Sequence, residues 1–352
     1  MFGLADGHLA TLAGLGGGIL LGLAARVGRY CIMGAVEDAV YGADLGRMRM
    51  LAMSAAVAIA GTFGLIAAGH LDPDVTRYFR TAWSPAGTVI GGLMFGYGMA
   101  MVGTCGLGSL ARVGGGDLRG LVMVTTIGIA AYATIAGPLA PLRLWLVPVV
   151  AIDGGTADHG LAHIAGAALS VSPLAPALAA AALLSGWALM DARFRRPSGH
   201  LLWSLVVGGA IVFAWAATAW IAATGFDPVE VESFSFSAPI GQTLLYVMTA
   251  SLGEPTFAIG AVAGVIVGAA LGSRFKSEFR WEACDDAREL RRQMLGAASM
   301  GIGGVLAVGC TVGQGLSALS LLSASAPVAI ITILLGARAG LYMLVERAAV
   351  QR

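Results

Sequence analysis

The sequence predicts an all-α polytopic membrane protein with about nine transmembrane helices, short re-entrant or half-helices, and pseudo-symmetric repeats. Three observations carry this. Hydrophobic residues make up 57% and charged residues 12% of the 352 residues, whereas a soluble domain carries about 25% charged residues. The apolar stretches are continuous and long, and about 20 such residues cross a ~30 Å hydrocarbon core. The 52 glycines, roughly twice the usual ~7% share, sit inside those stretches, where they let helix backbones approach one another. A soluble enzyme, a disulfide-stapled secreted scaffold and a disordered chain are excluded. An outer-membrane barrel is excluded too, because its strands alternate apolar and polar residues. A net charge of +1 supplies no field for nucleic acid.

Taken in order, the expected spans cover residues 9–27, 50–69, 86–104, 120–140, 174–190, 200–222, 256–273, 294–309 and 326–345. The first begins near Leu9 with no basic residue before it and runs on into a full span, so no removable signal peptide is expected. Shorter apolar pieces lie at 142–152, 160–171, 240–252 and just after Cys31, Cys105 and Cys310. Pieces of that length suit half-helices, which exist at membrane depth only where protein buries them or a cavity is lined. With the N-terminus outside and nine alternating spans, seventeen basic residues fall inside and three, Arg77, Arg80 and Arg143, fall outside. That bias orients the chain, with the C-terminus in the cytoplasm. Residues 224–239 hold three acids and no base, which suits the outside. The whole chain, 1–352, reads as one integral membrane transport domain. Its longest polar segment, a cytoplasmic linker at about 274–293, is expected to form a short amphipathic helix.

Three of the four cysteines share one local frame. Gly22–Cys31–Gly34, Gly96–Cys105–Gly108 and Gly301–Cys310–Gly313 all fit G-x8-C-x2-G. In the second and third copies Gly98 and Gly303 also lie seven residues before the cysteine, and Gly103 and Gly309 lie just before it. Cys284, among charged residues, fits neither offset. The frame reads as a glycine-rich span ending at a thiol, with the following glycine turning the chain into a short second helix. Such breaks aim helix N-termini at a common point, where free N–H groups and the helix dipole favour anions. Broken helices in repeated halves are how many transporters build a central site. Thr104, Ser109, Thr311, Gln314 and Ser317 add hydroxyls and an amide beside the thiols.

A lone buried cysteine is usually a small hydrophobe, but three in one frame argue for more. Three thiolates, with Met33, Met99 and Met101 nearby, suit a soft metal, yet no ligand-spaced Cys–Cys or Cys–His pair is present, and no cofactor is expected. His159 and His163, at i and i+4, read as an interfacial pair. Arg29, Glu37 and Asp38 flank the first thiol, either as a local ion pair that fixes the break or as an anion gate. Glu254, before a proline, reads as a cap. No acid stands mid-span as a proton carrier.

The segments GRYCIMGAVED, GTCGLGSLARVGGG and GCTVGQGLSALSLLSASAP resemble the sulphur-transport signature of the YeeE/YedE family of bacterial membrane proteins, and the resemblance extends over essentially the whole chain. It implies nine transmembrane helices with pseudo-symmetric broken elements, residence in the bacterial inner membrane, and uptake of thiosulfate. In that family scheme the anion passes a narrow constriction by transient S–H···S contacts with three cysteines, which are Cys31, Cys105 and Cys310 here. Gly103, Thr104, Gly108, Thr311, Gly313 and Gln314 are their expected companions at the transport site. The resemblance further implies a small cytosolic sulfur-carrier protein of TusA type as a partner. Some members act on other sulfur or selenium compounds, which leaves those substrates open.

The chemistry of the residues fits that scheme. Thiosulfate is a dianion with one soft sulfur end and one sulfonate end. A neutral thiol donates a weak S–H bond to the soft end, whereas a thiolate would repel the dianion. Apolar burial keeps a thiol neutral. Successive weak contacts allow release as well as entry, and sulfate has no soft sulfur terminus. The alternatives are an integral-membrane thiol oxidoreductase, which needs paired cysteines, and a non-catalytic assembly subunit.

Overall fold

The protein is described from a computed structural model covering residues 6–146, 160–195, 199–225, 228–251, 253–283 and 286–346. In chain order its helices are α1 Asp6–Arg26, α2 Ile32–Tyr41, α3 Gly46–Ala67, α4 Arg77–Arg80, α5 Pro85–Val102, α6 Gly106–Gly114, α7 Leu118–Ile135 and α8 Ala140–Leu146. There follow α9 Leu161–Leu169, α10 Leu174–Leu189, α11 Ala192–Arg195, α12 Gly199–Thr224, α13 Ser237–Thr249, α14 Phe257–Phe275, α15 Ala287–Leu306 and α16 Ser325–Leu341. Between α15 and α16 lies a π-helical piece, Gly313–Ala318.

Polar caps start the helices where the sequence places them. Ser84 accepts the Gly87 N–H ahead of Pro85, Asp117 accepts the Arg119 N–H, and Asp286 accepts the Arg288 N–H. Each satisfies an N–H that the first helical turn leaves without a partner.

Every expected span coincides with a helix. Among the described residues, seven helical stretches are by themselves long and apolar enough to cross a membrane, and α9 with α10, bent by 115° at their junction, make an eighth. In α15 the first two turns carry Arg288, Glu289, Arg291 and Arg292, so only its later part is apolar. Ile129, Leu183, Trp220 and Ile331 lie exposed on the outside of the bundle, where lipid is their solvent. The linker differs from expectation. Instead of one amphipathic helix, α14 runs on to Phe275 and α15 begins at Ala287, and residues near 280 lie extended across the α6–α7 turn. There Arg280 N–H and Glu282 N–H donate to Gly115 O and Gly116 O, and Leu118 N–H donates to Glu282 O. The expected short piece at 142–152 falls largely outside the described residues.

The architecture is a fourfold repetition of span, break, short helix and span. The units are α1–α2–α3, α5–α6–α7, α12–α13–α14 and α15–π piece–α16. They pack reciprocally. The first span of one unit lies on the second span of another, giving α1 with α14, α12 with α3, α5 with α16 and α15 with α7.

Glycine makes these contacts. A Cβ on Gly14, Gly18 or Gly22 would strike the α14 backbone at Phe257, Ala261 or Val265, and one on Gly260, Gly264 or Gly268 would strike the α1 backbone at Thr11, Leu15 or Ile19. The partners advance together, so α1 and α14 run parallel. The first spans of the second and fourth units instead cross in opposite directions. Gly91 meets Gly303, and Gly98 meets Gly296. These glycines lie fourteen and seven residues before Cys105 and Cys310, with the two offsets exchanged across the contact. A two-fold axis across the helices does this, and it inverts one unit relative to the other. Cys105 and Cys310 are thus reached from opposite ends of the bundle.

Glycine here is a packing requirement at some positions and incidental at others. Gly18→Val forces α1 away from α14, and overpacking costs about 1–3 kcal/mol. Gly16 has open space around its missing side chain, so Gly16→Ala should leave stability unchanged or raise it by up to about 1 kcal/mol. Thermal unfolding of the two purified variants in detergent, measured side by side, checks the contrast.

Candidate functional site

The three cysteine breaks have one backbone design. The residue two before each cysteine is left-handed: Arg29 at φ 54, Gly103 at φ 78 and Val308 at φ 55. For a β-branched valine this is a strained conformation, and of order 1–3 kcal/mol must come from surrounding structure. Gln314 supplies part of it, its Nε2 donating to Ala307 O at 2.7 Å and Val308 O at 3.4 Å. Each cysteine then takes the N-cap place of the next helical piece. Gly34 N–H donates to Cys31 Sγ at 3.4 Å, and Gly313 N–H donates to Cys310 Sγ at 3.5 Å. Gly108 N–H stands toward Cys105 in the same way without closing a cap bond.

The glycine three residues after each cysteine therefore does not turn the chain, as the sequence suggested. It lies inside the first turn of the new helix, and the left-handed residue upstream makes the turn. Its missing side chain leaves room for a polar group. A Cβ there would strike the Arg47 guanidinium at Gly34, Thr104 Oγ1 at Gly108 and Ser235 Oγ at Gly313.

Cys105 and Cys310 are buried and Cys31 is half-buried, all three as free thiols. Cys105 lies within electrostatic reach of both other thiols, with the Thr311 side chain beside it. Ser109 Oγ is buried with no hydrogen-bond partner among the described residues. Gln314 and Ser317 are committed elsewhere. The Gln314 amide oxygen accepts from Ser325, and Ser317 donates to Phe234 O at 2.7 Å. Both brace the break. Cys284 and His159 lie outside the described residues.

The third unit has no cysteine. Its N-cap residue is Phe236, reached through the extended stretch 228–236. Phe236 N–H donates to Cys310 Sγ at 3.3 Å, and Ser235 Oγ lies 3.9 Å from the same sulfur. Cys310 thus receives donors from two units. Backbone N–H groups donate to the sulfurs of Cys31 and Cys310, which leaves each S–H able to act as a donor, at Cys310 toward Ser235 Oγ or toward a guest. Tyr78 closes this region, its hydroxyl donating to Gly313 O at 2.8 Å and its ring lying edge-on to Trp215.

Cavities approach the breaks from both ends. At one end a cavity of about 130 Å³ is lined by Arg77, Arg143, Ser235, Val308 and Gly309. A larger neighbouring one of about 770 Å³ adds Arg80 and Glu230. The three arginines that the sequence scattered between spans thus gather over the Cys310 break. At the opposite end a cavity of about 590 Å³ reaches Gly103, two residues before Cys105, and is lined by Arg26, Glu37, Arg112 and Arg119 among others. The expected ion pair at the first break is different in kind. Asp38 pairs with Arg47 of α3 at 3.1 Å, while Arg29 makes no ion pair among the described residues.

Helices broken at their middles, inverted against one another, with arginine-lined cavities at both ends, the one at the Cys105 end balanced by acids, and thiols between, define a membrane transport protein of the repeated-half kind. The particular family follows from comparison of the chain. The Sulphur transport family profile matches residues 27–339, and the chain belongs to that family. It is 26% identical over 344 residues to a protein of Escherichia coli K12 named Thiosulfate transporter TsuA, with 92% of each chain covered. A protein of the same name from Spirochaeta thermophila is 24% identical over 333 residues, covering 91% of this chain and 94% of the relative.

Burial and the neighbouring Glu230 push the Glu232 carboxyl up to about 7, against the pull of Arg77. An acid raised in the folded state holds more protons than the unfolded chain between about 4.5 and 7, so stability falls as pH rises through that window. The drop from Glu232 should be about 1 kcal/mol after discounting for the partial exposure of its side chain. Thermal unfolding of Glu232→Gln against the parent at pH 5 and pH 8 checks this, with the variant showing the smaller difference.

Proposed function

We propose that this protein is a transporter, not an enzyme, that takes thiosulfate into the cytoplasm across the bacterial inner membrane. The N-terminus and the Arg77 end face outside, and the C-terminus and the Arg112 end face the cytoplasm. The reading rests on one observation above the others. Three thiols occupy the same N-cap place in three breaks, those of Cys105 and Cys310 inverted against each other, and Cys105 is the common neighbour of the other two. The names of the two relatives support the substrate, and the basic bias of the connecting segments supports the orientation.

The geometry supports the following mechanism. Arg77, Arg80 and Arg143 collect the dianion, and the small cavity below them passes it to the Cys310 break. The S–H of Cys310 donates to the soft terminal sulfur. Cys105, next along and reached from the other end, takes over that contact, with Thr311 and Ser109 offering hydroxyls to the sulfonate oxygens. Gly103, Thr104 and Gly108 shape the wall at this point and Gly313 the wall at Cys310, while Gln314 holds the break rigid. Cys31, less buried, completes the set. Each contact is weak, so the anion moves on, and sulfate finds no partner for an S–H donor. A small sulfur-carrier protein of TusA type docks on the cytoplasmic face near Arg280–Arg292 and receives the sulfur.

Uptake of radiolabelled thiosulfate into liposomes containing the purified protein tests this. Wild-type uptake should be competed by thiosulfate and not by sulfate. Cys105→Ser keeps nearly the same volume and a donor, at a packing cost of about 1–3 kcal/mol, and should insert normally yet lose at least about nine-tenths of uptake, because the shorter, more strongly donating hydroxyl turns to a backbone carbonyl and does not reproduce the weak S–H contact to the soft sulfur. Cys284→Ser should transport like the parent. Full uptake by Cys105→Ser at equal protein would overturn the thiol pathway.

A further inference from the structure

The cavity beneath Cys105 contains a charge pattern that the thiol pathway does not use. Five arginines and five acids line it: Arg26, Arg112, Arg119, Arg280 and Arg292 against Glu37, Asp117, Glu278, Glu282 and Glu289. Most are paired. Arg119 holds Asp117 at 3.2 Å and Glu282 at 3.1 Å, Arg26 faces Glu278 at 3.8 Å, and Arg292 faces Glu289 at 3.9 Å. The first three belong to the 276–283 stretch and its seat on the α6–α7 turn, and the last lies within α15. Arg280 is exposed at the rim. Arg112 differs from all of them. It is half-buried on the last turn of α6, and no carboxylate lies within 4 Å of it among the described residues. One guanidinium nitrogen comes 3.8 Å from where a side chain on Gly103 would start, so it stands directly at the break that presents Cys105. Glu37 of α2 lines the same cavity and lies within electrostatic reach of Arg112 as well as of Arg47, and itself makes no ion pair within 4 Å among the described residues.

A guanidinium offers planar donors that match two oxygens of a sulfonate at once. A dianion leaving Cys105 carries its sulfonate into this cavity, and Arg112 is the first cation it meets. A cation alone would trap the dianion. A carboxylate close enough to compete for the same guanidinium lowers the affinity, and a conducting site must release what it binds.

We propose that Arg112 and Glu37 form an exit station on the cytoplasmic side: Arg112 takes the oxygen end of the departing oxyanion, and Glu37 displaces it. The proposal rests on the transport reading above and adds two residues with opposite effects. Arg112 is a substrate-contacting residue, and Glu37 acts through it.

Membrane vesicles of the two orientations separate the faces. In inside-out vesicles, where radiolabelled thiosulfate enters from the cytoplasmic end, Arg112→Gln should raise the KM about ten-fold, the loss of one charge-assisted contact. Arg112→Lys should recover part of it. Glu37→Gln should lower the same KM several-fold. In right-side-out vesicles the KM of all three should stay within about two-fold of wild type. Calorimetric titration of the detergent-purified proteins with thiosulfate supplies a readout without turnover, with weaker binding by Arg112→Gln and tighter binding by Glu37→Gln. If wild-type vesicles transport nothing, the transport reading fails while the titration still decides the station. An unchanged cytoplasmic-side KM in Arg112→Gln with unchanged binding, equal KM changes at both faces, or shifts of the same sign in both variants would overturn it.

Discussion

A helix that stops inside hydrocarbon leaves backbone N–H and C=O groups that only protein can satisfy. Everything else in this structure answers to that constraint, which arises four times. The reciprocal packing of the four units surrounds each break with spans from another unit. The glycine contacts bring those spans close enough to exclude lipid. The left-handed residue two before each cysteine turns the chain within a few residues, which keeps the number of orphaned groups small. At the fourth unit's break the Gln314 side chain takes two of the freed carbonyls, Ala307 O and Val308 O. Two of the first freed N–H groups go to sulfur, at Cys31 and Cys310. Cysteine at the N-cap is therefore both a structural and a chemical choice. Sulfur is a weak acceptor, so it satisfies the helix start loosely and leaves the thiol proton available.

The inverted relation between the second and fourth units has a functional consequence. Because α5 and α15 cross antiparallel at Gly91–Gly303 and Gly98–Gly296, the two buried thiols belong to chains entering from opposite ends, and their breaks open on opposite cavities. The proposed path between the cavities passes both. In the proposed mechanism the arginines at each end collect or discharge the anion, and the middle is left to uncharged groups: thiols, threonine and serine hydroxyls, and backbone N–H. An anion crossing this middle meets nothing that holds it firmly.

Much of this was legible in the sequence, and the parts that were not share a cause. The spans follow from apolar length, a local property, and each expected span has its helix. Three of the four breaks announced themselves because cysteine is rare and repeats the same spacing. The remaining one, in the third unit at Phe236, carries no rare residue, and its glycines keep no matching offset, so its equivalence shows only in how α12, α13 and α14 pack. The glycine after each cysteine was visible, but spacing does not separate a residue that turns a chain from one that makes room inside a helix. Asp38 near Arg29 suggested a local pair, while the partner that geometry selects, Arg47, lies on the next span. Arg77 and Arg143 counted for orientation alone, since nothing in their spacing says that α4 and α8 carry them to the same break.

The central claim is that one path runs past all three thiols and that a soft sulfur anion touches them. Protection against a small methylthiosulfonate reagent tests it most directly, with the extent of modification at each cysteine read by mass spectrometry of the purified protein. Thiosulfate at saturating concentration should slow modification of Cys310, Cys105 and Cys31, sulfate should not, and Cys284 should react at the same rate in all three conditions. Equal modification of Cys310 and Cys105 with and without thiosulfate would contradict the account.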